Sequence, residues 1–191
     1  MKVCVFCGSR PGNDPAIGEL AKSLARTLAA RGHGIVFGGG SVGLMGILAD
    51  EMLAAGGEVI GVMPKHMVDR EVAHAGTHLH IVDTMHTRKA LMYDLSDAVI
   101  ALPGGYGTLD ELFEVLTWNQ LGLHAKPAGL LDHGGYFAPL VAFLDGAVDA
   151  GFIRAEHRAL LLEDSDPDEL LDALETWKPP TTSKWIDAAD R

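Results

Sequence analysis

Short apolar runs alternate with stretches of helical period along nearly the whole chain. β-rich runs occur at 2–7 (KVCVFC), 34–37 (GIVF), 58–62 (EVIGV), 78–82 (HLHIV), 97–102 (DAVIAL), 128–131 (AGLL) and 158–162 (RALLL). Between them the apolar spacing predicts helices at 16–31, 42–55, 84–95, 108–122, 136–150 and 167–176. Strands that are apolar along their length, each followed by a helix, predict a parallel sheet covered on both faces. The expected fold class is therefore α/β: a doubly wound, mostly parallel, Rossmann-like sheet in one domain over 1–177. The segment 178–191, KPPTTSKWIDAADR, lacks an apolar period and is expected to be a tail, with Trp185 able to dock on the body or on a partner. The longest unassigned connection, 64–77 (PKHMVDREVAHAGT), has the length of a functional loop.

Composition narrows the function classes. Fifteen Lys and Arg stand against 26 Asp and Glu, a formal charge of −11. That balance disfavours nucleic acid as a partner and requires any bound phosphate to be held by a local site. No apolar run reaches the ~20 residues of a membrane helix, and the start MKVCVFCGSR has no leader-like apolar stretch, so the expected location is the cytoplasm, with no membrane partner. Cys4 and Cys7 lie three apart on a predicted strand, point to opposite faces and cannot share a metal. His78 and His80 share a strand face near His74, but no cysteine or carboxylate pair completes a ligand set, so no metal is expected.

Ligands of open α/β sheets bind at the carboxyl ends of the strands, where three turns here are rich in glycine. The first is GSRPGND (8–14). The second, Gly38-Gly39-Gly40-Ser41-Val42-Gly43, matches the dinucleotide fingerprint, but the acid expected at the end of the next strand is missing: EVIGV ends in Met63-Pro64, and Glu58 opens that strand instead. The turn remains a place where backbone N–H groups approach an anion or a base. The third, Pro103-Gly104-Gly105-Tyr106-Gly107-Thr108, opens a helix and suits a phosphate at the helix N-terminus, though no Lys-Ser/Thr pair makes it a P-loop. Thr108-x-x-Glu111 also has capping-box spacing, so Glu111 has a structural reading beside a functional one. A capping acid does not require the preceding glycines.

Arg88 falls at the centre of the stripe formed by Met85, Leu91, Met92 and Leu95. Either its guanidinium snorkels to solvent, with Lys89 on the surface, or it faces the sheet and needs a carboxylate or a ligand.

PGGYGTLDE (103–111), MHTRKALM (85–92) and GGGSVGLMG (38–46) together closely resemble the LOG family, the cytokinin-activating phosphoribohydrolases, over roughly 1–175. The resemblance implies hydrolysis of the N-glycosidic bond of adenosine 5′-monophosphate, typically N6-substituted, to free base and ribose 5-phosphate. It implies Arg88 and Glu111 as the catalytic pair and Gly104, Gly105, Tyr106, Gly107 and Thr108 as the phosphate cradle. It further implies binding roles for Gly39, Gly40, Lys89, Thr117 and Glu71, a homodimer, and no cofactor. Members often carry a lysine decarboxylase label, which implies pyridoxal phosphate; Lys65, Lys89 and Lys126 are available, but no turn pairs one of them with an acidic pyridinium partner. The rival from another class is a non-catalytic carrier of a nucleotide or nucleotide-derived cofactor, which would use the same glycine turns without needing Arg88 to face Glu111.

Overall fold

The computed structural model describes residues 1–68 and 73–179. Seven parallel strands form one sheet in the order β4-β3-β2-β1-β5-β6-β7. They are β1 (Lys2–Phe6), β2 (Gly34–Phe37), β3 (Val59–Pro64), β4 (His78–Val82), β5 (Ala98–Ala101), β6 (Ala128–Leu131) and β7 (Leu161–Asp164). The helices are α1 (Pro15–Ala30), α2 (Gly43–Ala54), α3 (Met85–Asp94), α4 (Tyr106–Gln120), α5 (Ala138–Asp149), a four-residue α6 (Ala155–Arg158) and α7 (Pro167–Thr176). β1 pairs with β2 on one side and β5 on the other (Val3 opposite Ile35 and Ala98), so the strand order reverses at β1. Chains leaving β1 and β5 open a crevice at this switch point, which is where the site is built.

The strand residues divide by alternation between two cores. Val3, Val5, Ile35 and Phe37 face α1, α2 and α7, whereas Cys4, Phe6, Val36 and Val62 face the layer of α3, α4 and α5. Cys4 and Cys7 accordingly pack into opposite cores. Asp14 caps α1 by accepting the Ala16 amide at 2.9 Å, and Asp166 caps α7 through the Asp168 and Glu169 amides. Each helix has proline at its start, where a missing N–H costs nothing. The last strand differs from expectation. Part of RALLL forms α6, with His157 turned inward, and pairing with β6 begins at Leu161 and runs to Asp164. α7 ends at Thr176, close to the expected domain limit, while Trp185 and most of the tail lie outside the described residues.

His124, in the connection from α4 to β6, is held as the neutral imidazole. Nε2–H donates to the Val115 carbonyl at 3.0 Å, and Nδ1 accepts the Lys126 amide at 3.2 Å. Burial pushes its pKa down from 6.5 to about 4. Between those values the unfolded chain binds a proton that the folded one refuses, so this contribution is complete above pH 6.5 and is lost as pH falls toward 4. Thermal melting from pH 7 to 4 is expected to show a smaller decline for His124→Gln than for the parent; parallel profiles would contradict this assignment.

Candidate active site

The ends of β1, β2 and β5 and the first turns of α3 and α4 surround a cleft of about 290 Å³. Gly105, Tyr106, Gly107 and Thr108 line one side of it. α4 begins at Tyr106 with Gly105 as its cap residue, three residues earlier than the capping-box reading requires, and no side chain caps it. Thr108 therefore lies inside the first turn, buried, and does not cap the helix. The first-turn amides, without a side-chain cap, are open to an anion at the positive end of the helix dipole. Gly104 lies against Thr108 and Gly8 so closely that a Cβ would overlap both, and its carbonyl accepts the Tyr136 hydroxyl at 2.5 Å. That bond and the one from the Gly8 amide to the Pro103 carbonyl at 3.1 Å pin the turn from two sides.

Arg88 reaches the cleft from α3. A reciprocal Thr84–Thr87 capping box sets the start of that helix. One residue later the Arg88 side chain runs under the ends of β2 and β3, only 6% exposed, which excludes the snorkelling arrangement. Nε donates to the Val62 carbonyl and Nη2 to the Gly38 carbonyl, each at 3.1 Å. These bonds use two of five N–H donors, and Nη1 faces Met85 Sδ at 3.8 Å. Glycine is required at position 38, because a Cβ there would collide with the guanidinium.

Glu111, one turn beyond Thr108, lines the same cleft as Arg88. The switch point thus brings together a guanidinium anchored on β2 and β3 and a carboxylate carried by α4. Cys7, at the end of β1, is a third member of the lining. Burial, reinforced by the Glu111 charge, pushes the Cys7 thiol well above its ordinary value. It is a neutral group here and not a nucleophile.

A family model described as "Possible lysine decarboxylase" matches residues 45–174. A protein from Oryza sativa subsp. japonica, named probable cytokinin riboside 5′-monophosphate phosphoribohydrolase, is 47% identical over 177 residues, covering 92% of this chain and 79% of the rice protein. The chain belongs to the LOG family. A LOG-family protein of Arabidopsis thaliana, named cytokinin riboside 5′-monophosphate phosphoribohydrolase, is 46% identical over 180 residues, covering 93% of this chain and 78% of its own. The fold is also that of the molybdenum cofactor carrier protein from Chlamydomonas reinhardtii, with TM-score 0.68, 22% identity, and coverage of 91% of this chain and 95% of that one.

Some residues expected from the LOG pattern are placed elsewhere. Lys89 is absent from the cleft lining; its ammonium lies 3.1 Å from Asp110 and 3.0 Å from Glu114, tying α3 to α4. Burial opposes that charge, but hydrogen bonds to Glu114 and Asp110 outweigh it and hold the pKa above the usual lysine value. Thr117 is exposed, its hydroxyl turned back to the Phe113 carbonyl at 2.7 Å. Six residues beyond Glu111, it sits about 9 Å farther along the helix and about 120° around it. Gly39 and Gly40 pack on the connection after β3, through the His74 amide and a bridge to Ala73, and do not line the cleft. Glu71 lies outside the described residues. Conversely, Cys7, Gly8, Ser9, Gly38, Met45, Met67 and Met85 line the cleft without having been singled out as binding residues.

The family model's decarboxylase description does not fit the residues present. Among the described residues, no lysine lines the cleft. Lys126 precedes β6, at the opposite end of the sheet, where its ammonium covers the Tyr93 ring at 3.8 Å. Among the described residues, no three His, Cys, Asp or Glu side chains group to hold a metal.

Proposed function

We propose that this protein is a hydrolase of the N-glycosidic bond of adenosine 5′-monophosphates, with or without an N6 substituent, releasing the base and ribose 5-phosphate. The observation that carries this reading is the shared cleft of Arg88, Glu111 and the uncapped glycine turn in a LOG-family chain. The amides of Gly105 to Thr108 hold the 5′-phosphate. Glu111 orients a water and takes its proton as the water oxygen bonds to C1′. The C1′–N9 bond breaks with its electron pair going to the base, which is protonated as it leaves. Arg88 fixes the carboxylate and the ribose hydroxyls in register, and positive charge developing on the sugar is stabilised by Glu111. No step requires a cofactor.

A carrier would use the same turn, but it has no use for an anchored guanidinium and a carboxylate beside a sugar. Incubation with AMP and with N6-isopentenyl-AMP separates the classes: free base is expected from both, and intact nucleotide recovered with bound protein would establish the carrier instead.

The working form proposed is a cytoplasmic homodimer, its activity carried by residues 1–177. No helix of the described residues is long and apolar enough to cross a membrane. Support for a dimer comes from the α4–α5 layer: of the α5 residues only Leu144 is fully buried, and Phe143 (68%), Leu123 (71%) and Phe152 (86%) remain exposed. An apolar face of this kind marks an interface. In sedimentation, Phe143→Glu is expected to be monomeric at concentrations where the parent is dimeric; a monomeric parent would remove the proposal.

A further inference from the structure

The peptide that joins Gly104 to Gly105 has no side chain on either flank. The missing Cβ lets Gly104 sit against Gly8 and Thr108, but it also leaves the peptide plane cheap to rotate. A Cβ on Gly105 would meet nothing within 4 Å, so packing does not hold that residue either. The orientation of this one peptide decides which charge the turn shows to the cleft. In a trans peptide the C=O and N–H point in opposite directions, and no cis peptide occurs among the described residues. One orientation offers the Gly105 N–H, which attracts an anion; the flipped one offers the Gly104 carbonyl, which repels it.

A tyrosine from another unit of the fold holds one of these two states. The Tyr136 hydroxyl donates to the Gly104 carbonyl at 2.5 Å. Gly104 and Tyr136 line a separate hollow of about 300 Å³ beside the cleft, and Gly105 borders both spaces. The carbonyl is thus drawn to the side away from the cleft. Tyr136 is itself fixed from behind. Asp132, the residue after β6, accepts the Gly135 amide through Oδ2 and the Phe137 amide through Oδ1, each at 2.8 Å, and so brackets position 136. The Asp132 amide donates to the Asp164 carbonyl at the end of β7, and the Tyr136 ring stands edge-on to the buried Phe137 at 5.0 Å between centroids.

We propose that Tyr136 is a positioning residue for phosphate binding: by holding the Gly104 carbonyl outside the cleft, it keeps the Gly105 N–H aimed at the anion. The same hydrogen bond polarises the peptide and strengthens that N–H as a donor. The proposal rests on the placement of the 5′-phosphate at this turn in the phosphoribohydrolase reading above. Tyr136 touches neither the sugar nor the base in this account and acts through the peptide alone.

The test is Tyr136→Phe, which removes the hydroxyl and keeps a ring that is 47% exposed. Calorimetry with the two unreactive products, ribose 5-phosphate and adenine, separates the grip on phosphate from a general loosening of the site. The Kd for ribose 5-phosphate is expected to rise about three- to tenfold, the worth of one hydrogen bond, while that for adenine stays within about twofold. In turnover of AMP, KM rises and kcat stays within about twofold of the parent, the pattern of a lost contact that ground state and transition state share. A ribose 5-phosphate Kd raised by less than about threefold, an equal rise for adenine, or a parent that binds no ribose 5-phosphate would overturn the proposal. A parent that binds ribose 5-phosphate but releases no base from AMP fails the phosphoribohydrolase reading instead, and the calorimetric comparison still decides the role of Tyr136.

Discussion

Glu111→Gln lowers kcat by about 10²–10⁴-fold, the usual contribution of a positioned general base, and leaves AMP bound with nearly the parental affinity. The substitution keeps the size of the side chain and its place on α4, one turn after Thr108, while removing the charge and the basic oxygen. The amides of Gly105 to Thr108, which are proposed to hold the phosphate, are untouched. Rate and binding therefore separate, and a purely helix-stabilising Glu111 would not separate them. The structure already weakens the structural alternative, because α4 starts at Tyr106 and Thr108 is not its cap. Single-turnover base release and equilibrium titration with AMP check the pair of expectations. Base release by the Gln variant at the parental rate would contradict the assignment.

Arg88→Ala lowers kcat/KM by about 10²–10³-fold, through loss of charge preorganised at the sugar. It also destabilises the fold, because the Val62 and Gly38 carbonyls lose the donors that reach them at 3.1 Å. Leaving buried carbonyls unpaired costs about 1–3 kcal/mol. Arg88→Lys is the informative companion. An ammonium is a point charge and lacks the planar fork that spans two strand ends, so Lys restores charge without restoring activity. An unchanged kcat/KM in Arg88→Ala, measured on folded protein, would remove Arg88 from the machinery.

Much of the frame was legible because central strands such as GIVF and AVIA are buried along their whole length, a pattern that survives without any partner information. In RALLL, where an arginine is followed by four apolar residues, pattern alone could not decide where pairing starts; the inward His157 and the β6 register decide it. The early start of α4 was hidden for a different reason: Gly105 and Gly107 have low helix propensity, yet they form the cap and first turn at the switch point. Arg88 was visible as a charge in an apolar stripe. Lys89 was not, since one residue farther along a helix is a 100° rotation, and that rotation sends its ammonium to Asp110 and Glu114. Met45 and Met85 line the cleft but sit in helical stripes that sequence cannot distinguish from core. The role of Thr117 came from family resemblance, and its own position on α4 does not direct it into the cleft of the same chain.

The central claim is that water attacks the sugar carbon on the face guarded by Glu111, with the phosphate retained. Turnover of N6-isopentenyl-AMP in ¹⁸O-labelled water, followed by mass spectrometry of both products, tests it most directly. The account predicts unlabelled free base and ribose 5-phosphate carrying one ¹⁸O at C1 at the earliest times, ahead of the slower exchange with solvent shown by an unlabelled ribose 5-phosphate control in the same water. Label in released inorganic phosphate together with a nucleoside product, or recovery of unreacted nucleotide alone, would contradict it.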